Sequence, residues 1–431
     1  MLQAGFSRLD ITPPLGLSLA GYFHDRKADG ILDPIELNAV AVRAGADTVL
    51  LIAADLISMD DRHSAAIRQL IETETGVPAH HIAINCLHQH TSLRVGKGLF
   101  GVKDGAYPEV LYRKFVDVAA LALADLREAA LGVAACETAE QISFIRRFRM
   151  KDGSVATNPY SRAAEIDAPV GEADNTVRLL RFFREGGKDI ALVHFCTHPD
   201  VIGGTKFSAD WPGFVRRDVE CDLENVHCLL INGTQGDTNH IDPYDLPKWK
   251  SDRYGYSARM GRVIADAVLR IFDRTAPCKV ERVSGRVEQV FVKTRTDGEE
   301  RYDEMVAFYK SYEEGTLGYK PGIAELGEAR RIMAIRTDPI YQVVQVTVLA
   351  IGEALFVGFG GEPFTAYSFR LRRELPCKML LTGCNTNGSV GYLPTSAAFA
   401  EGGYESRGTA FVPELEELVI SKALQLGKEL L

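Results

Sequence analysis

The sequence predicts an α/β protein in which mixed β-sheets pack together and are flanked by helices. Strand-like apolar runs alternate with helix-like segments along most of the 431 residues. Five apolar runs end in Gly, Pro and polar residues, a pattern typical of strands that open onto loops at a sheet edge. The composition, 46% hydrophobic and 25% charged, is that of a globular chain with a large core.

In the first part of the chain, β-branched apolar runs predict strands, and apolar residues at helical spacing predict helices. The helix over Asp61–Thr75 is well bounded because the sequence Gly-Val-Pro follows it. Glu109–Ala130 has the alanine content and apolar spacing of a long helix. The other predicted elements here are a strand and turn over Gly5–Thr12, strands over Thr48–Asp55, Ile82–Ile84, Arg178–Phe183, Ile190–Cys196 and His227–Asn232, and a helix over Tyr254–Asp273.

The pattern changes after Pro277. Lys279–Thr294 alternates as an exposed strand does, and Tyr302–Arg336 is charged and helical with a break at Gly318–Gly322. The elements predicted to follow are strands over Gln342–Ile351, Ala354–Gly358 and Lys378–Leu381 and a helix over Pro413–Leu431. Because no repeat or low-complexity linker divides the chain, we predict one large domain over residues 1–431. A helical insertion over 296–337 within it has either a structural or a lid role.

Charge and hydropathy exclude several classes of function. A net charge of −9 and a pI near 5.7 argue against nucleic acid or an anionic membrane as the partner. No apolar run reaches the roughly 20 residues that cross a bilayer, so no stable membrane insertion is expected. The opening residues lead directly into a strand pattern without a signal peptide. With eight dispersed cysteines and no CxxC, we predict a cytoplasmic protein. The sequence leaves its oligomeric state open.

Histidines follow two of the predicted strands. His88 and His90 come after Ile82–Ile84, and their alternation with that run predicts that both point to one face, with His90 about 6–7 Å further along. His198 follows the run Ile190–Cys196. Imidazoles at strand ends are a usual source of metal ligands at the rim of a sheet. The alternative for each histidine is a satisfied core or surface side chain.

Two acidic residues in the same kind of loop are further candidates. Glu362 follows a fully apolar strand and is the best carboxylate for a metal site; alternatively, it is a first-turn acid of the helix that starts near Phe364. Asp237 either orients a histidine or holds its own loop by an Asx turn. The five loops predicted to converge are His88–His90, His198–Pro199, Asn232–His240, Gly360–Pro363 and Cys384–Pro394.

Taken together, several segments resemble motifs of the neutral/alkaline non-lysosomal ceramidases. They occur in the family's order over residues 5 to about 410. The resembling segments are RLDITP from Arg8, LHQHTS from Leu87, FCTHPDVIG from Phe195, FSADWPG from Phe207, NGTQGDTNH from Asn232, GGEPFT from Gly360 with Arg370, Arg372 and Arg373 after it, and GGYE from Gly402.

The resemblance implies a ceramidase-like catalytic domain of bacterial type, without the immunoglobulin-like C-terminal domain of the secreted enzymes. It also implies a zinc ion bound by His88, His198, Glu362 and Tyr404. Tyr404 is implied by the resemblance alone, because a phenol with a pKa near 10 is an unusual zinc ligand.

Further roles implied by the resemblance concern residues beside the metal. His90 would stand next to the activated water as a proton shuttle or oxyanion donor. Arg146 would contact the substrate or the transition state.

The chain departs from the family at two loops. The family's Gly-Asp-x-Ser-Pro-Asn is replaced here by Gly236-Asp237-Thr238-Asn239-His240, so Thr238 stands where the family has serine. The family's Ser-Gly-Pro-Gly after the histidine pair is replaced by Ser92-Leu93-Arg94-Val95-Gly96. Because of these departures, metal chemistry is better supported than a long-chain lipid substrate.

We therefore predict a zinc-dependent hydrolase that cleaves an amide (N-acyl) bond through a metal-activated water, with one zinc or another divalent transition metal per chain. The arginine-rich stretch Phe144–Arg149 suggests a rim suited to a soluble, polar or anionic N-acyl small molecule rather than ceramide. The alternatives are an esterase or phosphoesterase using the same site, and a catalytically silent metal- or ligand-binding relative.

Overall fold

The computed structural model describes residues 1–102, 105–246 and 252–431. Elements are numbered in chain order. The larger sheet is mixed, with neighbouring strands in the order β18-β16-β15-β10-β1-β5-β6-β8, and β20 pairs with β10. Its strands are β1 Leu2–Asp10, β5 Glu36–Ala44, β6 Asp47–Ala54, β8 Ile82–Cys86, β10 Arg127–Glu137, β15 Thr176–Arg184, β16 Asp189–Phe195, β18 Val226–Asn232 and β20 Ala276–Cys278.

A second mixed sheet has the order β21-β22-β23-β25. Its strands are β21 Val283–Lys293, β22 Tyr341–Ile351, β23 Ala354–Phe359 and β25 Met379–Gly383. The short strands are β2 Ser18–Leu19, β3 Arg26–Lys27, β4 Gly30–Ile31, β7 Ser58–Met59, β9 Arg94–Val95, β11 Phe144–Ile145, β12 Arg147–Met150, β13 Val155–Thr157, β14 Ile166–Pro169, β17 Lys206–Phe207, β19 Thr238–Asn239, β24 Glu362–Pro363 and β26 Tyr392–Leu393.

Helices cover the outer faces of the two sheets, which confirms the predicted α/β class. The helices are α1 Asp61–Thr75, α2 Ala106–Ala124, α3 Asp210–Asp222, α4 Arg253–Phe272, α5 Tyr302–Glu313, α6 Ile323–Ala334, α7 Thr365–Glu374, α8 Ser396–Glu401, α9 Tyr404–Gly408 and α10 Leu415–Leu430, with short 3₁₀ turns at Ala79–His81, Tyr160–Glu165 and Glu299–Arg301.

Alternation along the strands divides the apolar side chains among three principal layers. One face of the larger sheet packs on α1 and α2, for example through Ile52 and Phe115. Its other face packs on the second sheet and on helices α3 and α4. Val42 of the larger sheet and Leu349 of the second sheet belong to this layer. The far face of the second sheet packs on α7 and α10. The resulting core fixes the strand ends, from which the functional loops extend.

The helix predicted over Glu109–Ala130 is wrong over its last six residues. α2 ends at Ala124, and Arg127–Glu137 is a strand that pairs with both β1 and β15. The alanines of this stretch favour a helix locally. Tertiary pairing overrides that propensity, since β10 joins the two halves of the larger sheet.

The segment 296–337 contains α5 and α6, as its charged helical pattern predicts. The two helices pack on each other through a small apolar cluster that includes Tyr309 and Ile332. α6 also packs against α9. Whether the segment is an insertion with a lid role remains a prediction.

None of the described helices is long and apolar enough to cross a membrane. The cysteines all carry free thiols. Within the described residues, the sheets and helices above leave no immunoglobulin-like sandwich.

Candidate metal centre

The loops that follow the strands converge, as the sequence predicts. A hydrogen bond of 2.9 Å from Gly236 N–H to the Pro363 carbonyl joins the third loop to the fourth. Another, of 2.7 Å, runs from Asn385 N–H to the Gly361 carbonyl and joins the fifth loop to the fourth. The first and second loops are joined through the backbone N–H of His90, which donates to the second loop at 3.1 Å.

The backbone turns sharply where the first histidine stands. β8 ends at Cys86, and His88 has a φ of 78°, in the left-handed region that non-glycine residues seldom occupy. Its N–H donates to the Leu56 carbonyl at 2.9 Å. The extended backbone predicted through His88 and His90 is therefore wrong, because the strand ends at Cys86. The two rings still face one centre, with their centroids 5.0 Å apart.

Two imidazoles point their Nε2 atoms at one carboxylate oxygen. The Nε2 atoms of His88 and His198 lie 3.2 and 3.5 Å from Oε2 of Glu362. On the opposite edge of each ring, Nδ1 is 2.8 Å from the Ile57 carbonyl for His88 and 3.0 Å from the Gln235 carbonyl for His198. A carbonyl at Nδ1 favours the tautomer with the proton on that nitrogen, which leaves Nε2 free as a donor to a metal.

The separations and the donor types fit a transition metal. Ligands at 2.0–2.1 Å from a tetrahedral zinc lie about 3.3 Å from one another, close to the two distances above. Nε2 of His198 and Oε2 of Glu362 are buried and lack a hydrogen-bond partner. Buried polar atoms of this kind are costly unless something binds them. The donor set therefore fits a metal ion better than a closed protein core.

Electrostatics hold these groups in the protonation states that ligands require. Burial and the charge of Arg146 keep the pKa of His198 well below its usual range, so the ring is neutral. Burial alone raises the pKa of Glu362, but its electrostatic and hydrogen-bond interactions with His88 and the charge of Arg146 outweigh burial and hold the pKa at about 2. The carboxylate is therefore ionised near neutral pH.

His90 lies at the same centre. A ligand atom from each of His88, His90 and His198 falls within 4.8 Å of the others, so these three buried side chains can hold a metal. Neither ring nitrogen of His90 has a hydrogen-bond partner, and Nδ1 is 3.5 Å from Oδ1 of Asp200. Burial and the electrostatic interaction with His88 keep the pKa of His90 well below its usual range. The geometry allows His90 either as a ligand or as a base beside the metal.

Tyr404 begins the short helix α9 and lies close to the centre. Its ring stands edge-on to Tyr392 at 5.3 Å, and Tyr392 pairs with Glu362 in the short parallel ladder β24–β26. The phenol interacts electrostatically with Arg146 and Glu362, while burial raises its pKa. The helix α6 contacts the other side of the ring at Gly327, where an added Cβ would come within 2.8 Å of it.

Arg146 is buried beside the centre and already engaged. Its Nε donates to Oε1 of Glu405 at 2.7 Å, and its Nη2 donates to the Gly236 carbonyl at 2.7 Å. The guanidinium lies 5.2 Å from the ring centroid of Tyr392. Burial lowers the pKa of Arg146, but the interactions with Tyr392 and Glu405 more than compensate, so its pKa is raised. Arg146 thus supplies a fixed positive charge near the predicted ligands.

Asp237 and Thr238 have partners that the sequence did not indicate. Oδ1 of Asp237 accepts from Thr365 N–H at 2.8 Å and Oδ2 from the Thr365 hydroxyl at 3.1 Å, so the carboxylate caps α7. The Thr238 hydroxyl donates to the Gln235 carbonyl at 3.2 Å. Among the described contacts, neither side chain touches a histidine. The predictions that Asp237 orients a histidine or forms an Asx turn are therefore wrong, because its carboxylate binds Thr365. The alternative that Glu362 is a first-turn acid is also wrong, because α7 begins at Thr365 and has no acidic residue in its first turn.

Sequence reasoning missed two neighbours of the histidines. The Tyr22 hydroxyl donates to Oδ1 of Asp200 at 2.6 Å, which places this carboxylate beside His90. Nδ2 of Asn385 lies 3.0 Å from Nδ1 of His88. Asp200 follows the motif Thr-His-Pro directly, so its position in the sequence was an available signal.

No protein-family model matches this sequence, and neither does any curated protein. Two solved structures share the fold over 100% of this chain, each at 14% identity. One is a neutral ceramidase from Pseudomonas aeruginosa, with a TM-score of 0.76 and 75% of its chain covered. The other is described as a ceramidase complexed with C2, with a TM-score of 0.73 and 76% of its chain covered. The likeness establishes a ceramidase-like fold.

Proposed function

We propose that this protein is a zinc-dependent hydrolase that cleaves the N-acyl amide bond of a soluble small molecule. The observation that carries the proposal is the convergence of the His88 and His198 Nε2 atoms on Oε2 of Glu362, in a buried place where two of these atoms have no other partner. The ceramidase-like fold of the chain is consistent with amide chemistry at this position.

The ligands that we propose are His88, His198, Glu362 and Tyr404. When bound there, zinc supplies Lewis acidity and a water whose pKa is lowered to about 7. The ionised Glu362 and the neutral imidazole of His198 match the ligand states that zinc needs. The raised pKa of Tyr404 means that its phenol gives up a proton only when a nearby positive charge compensates.

His90 would carry the proton in this scheme. Its ring is neutral and buried and has no hydrogen-bond partner, so it can accept a proton from the attacking water and return it to the departing amine. The charge of Arg146, held by Glu405, would stabilise the oxygen on which negative charge develops at the acyl carbon.

Metal content and chelation provide the direct test. We expect about one zinc per chain by elemental analysis, and loss of hydrolysis of N-acyl substrates when a chelator removes it, with recovery on adding zinc. A panel should pair short soluble N-acyl compounds with a long-chain ceramide in detergent and with matched esters. A protein that holds the metal but hydrolyses none of these would be the silent relative, and stronger ceramide turnover would contradict the soluble substrate.

Asp200 is proposed as a positioning residue for His90. The substitution Asp200→Asn should lower kcat about 10- to 100-fold without loss of metal, as expected for a neighbour one step removed from the chemistry. The limb of the pH–rate profile that reports His90 should move to lower pH, because a carboxylate 3.5 Å from Nδ1 favours the protonated ring. Tyr22→Phe keeps that charge and is the control: its profile should not move to lower pH. An unchanged profile in Asp200→Asn would exclude the positioning role.

A further inference from the structure

Arg94 and Arg330 lie near the candidate metal centre and have no carboxylate partner among the described residues. No described carboxylate forms an ion pair within 4.0 Å of the guanidinium of Arg94 or Arg330. Nε of Arg94 is buried without any hydrogen-bond partner. Both side chains are partly buried. Since arginine stays charged at physiological pH, each one brings an uncompensated positive charge to this part of the protein.

Arg94 is held rigidly. Its backbone lies in β9, which pairs with β7, and its carbonyl accepts from Val102 N–H at 2.8 Å. Gly98, at a φ of +118°, packs directly against the arginine side chain: an added Cβ would lie 2.8 Å from Cδ and 3.0 Å from Nη1 of Arg94. Gly98 and Gly101 therefore line the Arg94 side chain from Cδ to the guanidinium.

Arg330 comes to the same place from the helical segment 296–337. It lies three residues after Gly327 on α6, so the two share a helix face, and Gly327 packs on the ring of Tyr404. Arg330 and Arg94 interact electrostatically, and Arg94 also interacts with Glu362 and with the tyrosines at 392 and 404. Arg94 directly follows Leu93, whose carbonyl accepts from Ile57 N–H at 2.9 Å, and the Ile57 carbonyl lies 2.8 Å from Nδ1 of His88. The two cations therefore approach the predicted ligands from different elements of the fold.

The arrangement is costly unless an anion is bound. Burial and the like charge of Arg330 both lower the pKa of Arg94, which means that the surroundings disfavour its charge. Glu362 is the acidic group that opposes this effect, but as a metal ligand it would direct its charge at the metal. A bound carboxylate would accept charge-assisted hydrogen bonds from the guanidinium groups and neutralise the pair.

The arginines of Phe144–Arg149, the stretch predicted to form a rim suited to a polar or anionic substrate, are paired with carboxylates. Arg146 binds Glu405 at 2.7 Å, Arg147 lies 3.0 Å from an oxygen of Glu401, and Arg149 pairs with Asp167 at 2.7 Å. Their charges are compensated within the protein. Arg94 and Arg330, by contrast, have no carboxylate in the described part of the chain that compensates their charge.

We propose that Arg94 and Arg330 form a subsite for a carboxylate group on the substrate, so that the molecule hydrolysed is an anionic N-acyl compound. The inference rests on the proposed function for the identity of the reaction. It identifies the helical segment 296–337 as a contributor to specificity through Arg330.

The kinetic test compares charged and neutral versions of one substrate. N-acetyl-L-alanine and its methylamide differ in a carboxylate on the amine side, and N-succinylethylamine places the carboxylate on the acyl side. In zinc-loaded protein, Arg94→Gln and Arg330→Gln should each raise KM for the charged substrate about 10- to 100-fold, the usual value of a charge-assisted hydrogen bond. KM for the methylamide should not change. Whichever charged substrate responds identifies the side that carries the carboxylate.

Arg336→Gln is the matched control because Arg336 lies on the same segment but faces Glu299 and Asp303, at 3.8 and 3.9 Å. It should leave KM for every substrate unchanged. An equal rise in KM for charged and neutral substrates in Arg94→Gln and Arg330→Gln would overturn the subsite, as would no change in either variant.

A binding measurement separates the subsite from the reaction. The full chain, with chelator present to remove metal as an alternative carboxylate ligand, is titrated calorimetrically with N-acetyl-L-alanine and with N-succinylethylamine. Binding of either compound that weakens about 10-fold or more in both arginine variants supports the subsite even if no N-acyl compound is hydrolysed. Absence of binding of both compounds to the wild type overturns the subsite and leaves the proposed hydrolysis standing.

Discussion

Replacing Glu362 with glutamine removes both the bound metal and the hydrolytic activity. The carboxylate oxygen lies 3.2 and 3.5 Å from the Nε2 atoms of His88 and His198, and although burial raises its pKa, the interactions with His88 and Arg146 outweigh burial and hold the pKa at about 2, so that the group is ionised. A glutamine has the same shape but no charge, so the donor set loses its strongest ligand for a divalent cation. We expect kcat/KM to fall by more than the roughly 100-fold cost of losing an outer-shell partner.

The measurement is zinc per chain after dialysis, with activity assayed on the same sample. Asp237→Asn is the matched control, since Asp237 is a buried carboxylate in an adjoining loop that caps α7 through Thr365. That variant should keep its metal and lose about 0.5–2 kcal/mol of folding free energy through the weakened cap. Stoichiometric zinc in Glu362→Gln would contradict the role of Glu362 as a ligand.

Much of the fold could be predicted because local and tertiary signals agree in it. The helix Asp61–Thr75 is bounded as predicted, with Asp60 accepting from His63 N–H and Gly76 in the left-handed conformation at its end. The prediction of a helix over all of Glu109–Ala130 fails where the local and tertiary signals disagree. An alanine-rich stretch lies in the middle of the larger sheet as β10, and only the partners β1 and β15 determine that it is extended.

The candidate site likewise contains features that the sequence predicts and features that it does not. The positions of His198 and Glu362 at strand ends were readable because strand ends gather at one edge of a sheet. The direction of His88 was not, since it depends on a single positive φ that no periodicity indicates. Arg94 and Arg330 come from distant parts of the chain. The sequence does not show that their charges lack a compensating carboxylate, because this depends on which arginines the acidic residues pair with in the folded protein.

The roles of the two histidines of the first loop can be separated by substitution, although their rings are only 5.0 Å apart. We expect His88→Ala to lose both metal and activity, because the Nε2 atom of His88 faces Glu362 while Nδ1 is turned to the Ile57 carbonyl. His90→Ala should retain about one zinc per chain. Its turnover should fall by about 100- to 10,000-fold, the usual contribution of a general acid–base group.

We expect the two histidines to differ because the Nδ1 atoms of their rings have different surroundings. His88 and His198 each have a backbone carbonyl at Nδ1, which fixes the proton there and presents Nε2 to a metal. His90 has no such carbonyl and instead lies beside Asp200, 3.5 Å away, an arrangement that suits a ring that gains and loses a proton. Zinc content and kcat measured together distinguish the cases. Equal metal loss in both variants would assign His90 to the ligand set with His88 and His198, which these three buried rings can also form.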